Sequence, residues 1–137
     1  MRLGEIKKLL FIFKNSPMIK QLNRVNEFHK KFHVPTLDKP LLIPSDRSNL
    51  RHSLMEEEVK EYKEGVQNND LENIAKEICD ILYAVYGTVL EHGLQDVIED
   101  IFEEVHKSHM SKDYHRYKMV KGEEYFKPNI GKFIKND

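Results

Sequence analysis

The stretch 56–64 carries five glutamates against two lysines, and Glu77 with Asp80 follows, Glu77 standing sixteen residues beyond Glu61. On a helical wheel, at about 100° per residue, the glutamate run splits. Glu56 falls with Lys60 and Lys63 on a polar side. Glu58 lands in the apolar arc between Leu54 and Tyr62, Glu61 lands between Leu50 and Leu54, and Glu57 lies at the margin. Glu77 and Asp80 are three residues apart and share a face. Asp80 is the only charge between Ile78 and Leu90, and its stripe also carries the small residues Ala84, Gly87 and Thr88, which leave space beside the carboxylates. Inward carboxylates are costly unless they meet a cation or stay protonated. The pairs Glu58/Glu61 and Glu77/Asp80 therefore suit a hard divalent cation. Mg²⁺ takes oxygen ligands and keeps part of its shell for water and phosphate. An ordinary solvated acidic surface is the competing reading, because Glu-x-x-Glu alone is weak.

Four helical stretches can position these groups. Ser16-Pro17 is a cap and first-turn signal for a helix from about Met18 to Phe32, with Met18, Leu22, Val25 and Phe32 at helical spacing. Pro35, Pro40 and Pro44 make 34–47 a loop. A second helix is expected from about Ser48 to Glu64, stopped by Gly65. A third runs from about Leu71 to Glu91, with Asp70 as N-cap and Gly93 as the C′ residue. A fourth spans about Leu94 to Ser111 on the stripe Leu94, Val97, Ile98, Ile101, Val105, Ser108. No strand pattern is visible, and 113–137, with Pro128 and Gly131, reads as irregular. The short turn between the second and third helices makes them antiparallel neighbours and brings the acidic pairs to one level. The expected fold is an all-α bundle of four to five helices. The third helix is apolar on too many sides for a thin bundle to cover, so a homodimer is expected to complete it.

The length of 137 residues fits one domain, read as 18–137 with 1–17 an N-terminal extension or extra helix. A formal net charge of −1 gives no bias toward a nucleic-acid polymer or an anionic membrane, and neither is expected as a partner. The segment 105–121 is basic, with Lys107, Lys112, Arg116, Lys118 and Lys121 against Asp113. An acidic centre followed by a basic segment suits a metal with an anionic ligand, and equally two solvated helix faces. Cys79 is the single cysteine, so neither an intrachain disulfide nor a zinc spacing exists. It falls on an apolar side and reads as inert core. No apolar run approaches the ~20 residues of a membrane span, and Leu9–Phe13 is too short for a signal-peptide core. A cytoplasmic protein is expected.

Leu54-Met55-Glu56-Glu57-Glu58-Val59-Lys60-Glu61 followed by Glu77-Ile78-Cys79-Asp80 resembles the Glu-Glu-x-x-Glu … Glu-x-x-Asp signature of the MazG-like all-α nucleotide pyrophosphatases. That superfamily includes dimeric dUTPases, dCTP pyrophosphatases and phosphoribosyl-ATP pyrophosphohydrolase. Phe28-His29, Leu50-Arg51, Asp80-Ile81-Leu82-Tyr83 with Tyr86-Gly87, and Glu104-Val105-His106 through Met110-Ser111-Lys112 resemble its phosphoribosyl-ATP-pyrophosphohydrolase-like branch, over about residues 22 to 128. The resemblance implies hydrolysis of a nucleoside triphosphate to monophosphate and pyrophosphate, with dUTP house-cleaning the first choice of substrate. It implies Mg²⁺, with Mn²⁺ as a substitute, held by Glu58, Glu61, Glu77 and Asp80. It implies Glu57 as the residue that orients or deprotonates the attacking water, Lys112 as a contact to substrate phosphate, and a homodimer. If the fourth helix reaches Lys112, the lysine shares the side of Ile101 and Val105 and can point inward. The branch often has asparagine where this chain has His109, which leaves base or sugar recognition there open. His109 and His29 are candidates for substrate contact, His29 equally a core histidine. Tyr83 and Tyr86 read as core rather than base-stacking residues.

Two rival classes stand beside this reading. Glu103-Glu104-Val105-His106 contains one Glu-x-x-His, an element of di-iron bundles, but such sites use two of these motifs. A non-enzymatic helical interaction module would need no inward acids, and Asp80 in an apolar helix argues against it.

Overall fold

The computed structural model describes residues 2–7 and 17–134. Residues 3–7 are helical; 8–16, the rest of the segment expected as an extension or extra helix, lie outside the described residues. The chain divides into two compact units, Met1–Gln95 and Asp96–Asp137.

The first unit is built on three helices, α1 (Pro17–Phe32), α2 (Ser45–Gln67) and α3 (Leu71–Glu91). Contacts between α2 and α3 pair Arg47 with Glu91, Arg51 with Ala84, and Gly65 with Ile74, so the two helices run antiparallel. The turn between them reverses through Asn69 at φ 52°, and Asp70 caps α3 by accepting from the Asn73 N–H at 3.0 Å. The α3 C-terminus ends as expected at Gly93. Its φ of 67° lets its N–H reach the Leu90 carbonyl while the Leu94 N–H reaches Val89. Any side chain at Gly93 would also strike the Lys39 carbonyl, because the proline-rich loop lies against this end. That loop is held by Leu37 N–H on Leu90 O, Leu41 N–H on His92 O, and the Gln95 amide on Leu37 O. Leu22 and Val25 of α1 and Val89 and Leu90 of α3 are the buried apolar residues, a small core, while Val59, Val66, Ile78, Leu82 and Val85 stay exposed.

Several boundaries differ from the sequence expectation. The second helix starts at Ser45 and passes through Gly65 to Gln67. Gly65 is buried where a Cβ would stand 3.2 Å from the Ile74 side chain, so it serves close helix approach instead of termination. Cys79 is exposed, not core. In the second unit the fourth helix, α4 (Ile98–Met110), begins four residues later than its apolar stripe.

The segment expected to be irregular contains a hairpin. β1 (Asp113–His115) pairs antiparallel with β2 (Lys118–Val120) through Arg116 and Tyr117 at φ 49° and 67°. Its 3-residue strands are too short to show alternation in the sequence. The chain then returns along α4. Ser108 Oγ donates to Phe126 O at 2.8 Å, Glu104 accepts from Asn129 N–H at 3.1 Å and meets Lys132 at 3.3 Å, and a short helix, α5 (Gly131–Ile134), follows. The architecture is all-α apart from this hairpin. No helix among the described residues is long and apolar enough to cross a membrane.

Candidate active site

Antiparallel packing of α2 on α3 brings Glu58, Glu77 and Asp80 together, with one carboxylate oxygen from each lying within 4.8 Å of the others. Glu77 is 3% exposed. Glu58 Oε2 and Glu77 Oε2 are buried with no hydrogen-bond partner among the described residues. Burial, the adjacent Glu77 carboxyl and the charges of Glu61 and Asp80 push the Glu58 carboxyl up to about 7. Glu61 stands beside the same group, and the Glu77 carboxyl next to it raises its pKa as well. Lys76 is the cluster's one close cation among the described residues, 2.7 Å from Asp80 and 3.2 Å from Glu77. Its side chain is largely exposed, so it screens the rim and leaves the buried oxygens without a donor.

These residues fit a divalent cation by their donor chemistry. All are hard oxygens, they converge, and two of them are buried without a partner. Unpaired carboxylate oxygens at this depth require either shared protons or a positive ion.

A cavity of about 470 Å³ opens from the cluster. Glu58 and Asp80 line one part, Phe28, Phe32 and Tyr83 supply aromatic wall, and Arg47 lies at its lining on α2. Tyr83 faces this space and meets Phe28 edge-on at 5.4 Å, so it is not the core residue expected; Tyr86 is half-buried.

At the opposite end of the helix pair the charges are paired. Glu91 is 1% exposed and accepts from Arg47 Nε at 2.8 Å, while its other oxygen lies 3.2 Å from Arg51 Nη1. Arg51 Nε donates to Thr88 Oγ1 and Nη2 to the Ala84 carbonyl. A Cβ at Gly87 would collide with Arg51 Nη2, so glycine there is what admits the guanidinium. His29 packs beside it. Burial lowers its pKa, and the neutral ring places Nδ1 at 3.2 Å from both Pro35 O and Thr36 Oγ1. His29 is thus a satisfied buried histidine that also lines the cavity.

Of the residues singled out in the sequence, Glu58, Glu77 and Asp80 converge, Glu61 stands beside them, and Glu57 is exposed at the margin of α2. His109 and Lys112 belong to the second unit, where Lys112 Nζ lies 3.1 Å from His109 Nδ1. The helix stops at Met110, so the helical-wheel placement of Lys112 does not apply. The Arg47–Glu91–Arg51 group and Lys76 were not anticipated. The spacing holds a signal: Arg47, Arg51, Leu54 and Glu58 on α2, and Asp80, Ala84, Thr88 and Glu91 on α3, recur every three to four residues, so in an antiparallel pair the basic end of one stripe meets Glu91 and its acidic end meets Asp80.

No curated protein matches the chain. The profile of the family described as phosphoribosyl-ATP pyrophosphohydrolase matches residues 25–109, which include every acidic residue of the cluster. That span covers more than half of the sequence, and the chain therefore belongs to the phosphoribosyl-ATP pyrophosphohydrolase family, within the MazG-like all-α superfamily of hydrolases that act on nucleotide pyrophosphate bonds.

Proposed function

We propose that the chain is a Mg²⁺-dependent nucleoside triphosphate pyrophosphohydrolase that releases a nucleoside monophosphate and pyrophosphate. The observation that carries this reading is the convergence of Glu58, Glu77 and Asp80, with unpartnered buried oxygens, at a cavity large enough for a small molecule. Members of the family generally depend on a divalent metal. Glu58, Glu61, Glu77 and Asp80 would hold the cation, Mn²⁺ serving as a substitute. When bound, it neutralises the triphosphate and polarises its phosphoryl oxygens. Glu57, exposed next to Glu58 in sequence, orients a water toward the α-phosphorus and accepts its proton. The α–β bond breaks and pyrophosphate leaves. The cluster's own negative charge repels a bare triphosphate, so these residues bind nucleotide only in company with a cation. Lys112 as a phosphate contact, and His109 as a substrate contact, rest on the family resemblance alone.

The exposed apolar faces favour a homodimer. Ile78 and Leu82, each 46% exposed, Val85 on α3, and Val59 and Val66 on α2 are left exposed among the described residues of the first unit. A second copy of the chain would bury them. The di-iron reading gains no support: Glu103 and His106 are exposed, and the one carboxylate group of metal-binding geometry among the described residues lies elsewhere.

The test is a nucleotide panel headed by dUTP, followed by phosphorus NMR. Monophosphate plus pyrophosphate, abolished by EDTA and restored by Mg²⁺ or Mn²⁺, is the expected outcome. Diphosphate plus orthophosphate as sole products would refute the proposed bond; activity indifferent to chelation would refute the metal.

A further inference from the structure

The cavity has a charged lining residue that the proposed chemistry does not use. Arg47 and Arg51 share the single carboxylate of Glu91, so the group keeps a net positive charge. Arg51 is held by hydrogen bonds to Thr88 and the Ala84 carbonyl and by its ion pair with Glu91, and is 6% exposed. Arg47 is not. Its Nε is held by Glu91, its side chain is 28% exposed, and it lines the cavity; its Nη groups have no partner among the described residues. Glu91, almost wholly buried, fixes the guanidinium in place. A fixed fork loses less freedom on meeting a ligand than a free surface arginine does. Eleven residues of α2 separate Arg47 from Glu58, or ~16 Å along a helix. Leu50 and Leu54 line the wall between them, and Phe28 and Tyr83 add aromatic surface. That is room for a nucleoside lying between an acidic end and a donor end.

We propose that Arg47 is a specificity-determining residue whose Nη groups hydrogen-bond the carbonyl-bearing edge of a uracil or guanine base at the end of the cavity remote from the acidic cluster. The inference rests on the nucleotide reading of that cluster. Guanidinium has donors and no acceptor. At the 4-position of a pyrimidine or the 6-position of a purine it therefore favours the carbonyl of uracil or guanine over the exocyclic amino group of cytosine or adenine.

Calorimetric binding of the Mg²⁺ complexes of α,β-methylene UTP, GTP, ATP and CTP to the full chain tests it, because these analogues cannot be cut at the α–β position. The wild type should bind the UTP or GTP analogue at least ~10-fold tighter than the CTP and ATP analogues. Arg47→Gln should weaken the favoured one by about 5- to 150-fold and leave the disfavoured ones within about twofold. Arg47→Lys, which keeps the charge toward Glu91 and so guards against misfolding, should restore little of the selectivity. No preference in the wild type, or an equal loss for all four analogues, overturns the proposal. Turnover separates the two readings. Selective binding without pyrophosphate release from UTP or GTP would refute the hydrolase reading and leave Arg47's role standing. Pyrophosphate release from all four triphosphates with selectivity unchanged in Arg47→Gln would do the reverse.

Discussion

The α2–α3 pair buries charge at both ends and resolves it in opposite ways. At the Glu91 end, one carboxylate sits between two guanidiniums, and Arg51 is further satisfied by Thr88 and the Ala84 carbonyl. At the Glu77 end, several carboxylates crowd together with Lys76 at the rim, and the buried oxygens of Glu58 and Glu77 have no donor, whereas Glu91 Oε2, also without a hydrogen bond, lies against the Arg51 guanidinium. The first arrangement is electrostatically closed on its carboxylate and holds the helices in register. The second is incomplete as it stands, because like charges at short range oppose the fold unless protons or a cation join them. A buried acid is therefore a poor guide to function until its partners are counted.

The sharpest way to break this comparison is to remove one acid from each end. Glu91→Gln leaves Arg51 buried without a counter-charge and should cost about 3–5 kcal/mol in urea unfolding, as expected for breaking a buried ion pair on one side. Glu77→Gln, measured with chelator present, removes repulsion and should cost little or stabilise. If the two variants lose similar stability, the ends are not electrostatically different.

Within the acidic end, Glu57 and Glu58 are adjacent but differ in burial, and should fail differently. Glu57→Gln should retain metal and nucleotide binding while single-turnover rates fall by ~10²–10⁴-fold, the usual range for loss of a general base. Glu58→Gln should weaken metal binding, with partial recovery of activity in excess Mg²⁺. Loss of metal binding in Glu57→Gln with retention in Glu58→Gln would reverse the assignment.

How far the sequence carries depends on whether one helix suffices to read a feature. The inward placement of Glu58 and the Asp70 and Gly93 caps follow from local periodicity and turn chemistry and appear in the structure, while Glu61 stands beside the converging group and not within it. The reason for Gly65 lies in Ile74 of the next helix, outside what one helix shows. The Arg47–Glu91–Arg51 group needs two helices to be seen, since a wheel drawn for one helix places arginine in solvent by default. The apolar side on which Cys79 falls stays exposed among the described residues of the first unit. The wheel position of Lys112 depends on a helix that ends at Met110.

The pH response sharpens the contrast further. The Glu58 carboxyl is raised from 4.5 to about 7, so the folded, metal-free protein binds more protons than the unfolded chain between those values. Its contribution to stability is fully present below about 4.5 and lost as pH rises through about 7. Stability in EDTA should therefore decline over that window, and Glu58→Gln should flatten the decline. A wild-type profile that rises with pH there, and is unchanged in Glu58→Gln, would contradict the shift.

The smallest effect is expected at Lys76, which competes with a cation for Asp80 and Glu77 from an exposed position. Lys76→Met should tighten Mn²⁺ binding by only a few-fold, since exposed pairs contribute little. Weaker binding would make Lys76 a supporting group and not a competitor.

Mn²⁺ titration of the full metal-free chain by calorimetry, wild type beside Glu77→Gln and Arg47→Gln, tests the open acidic end most directly. Saturable binding in the wild type and in Arg47→Gln, weakened at least ~10-fold in Glu77→Gln, is the expected result. Equal Mn²⁺ affinity in wild type and Glu77→Gln, or no saturable binding in the wild type, would contradict a cation site at Glu58, Glu61, Glu77 and Asp80.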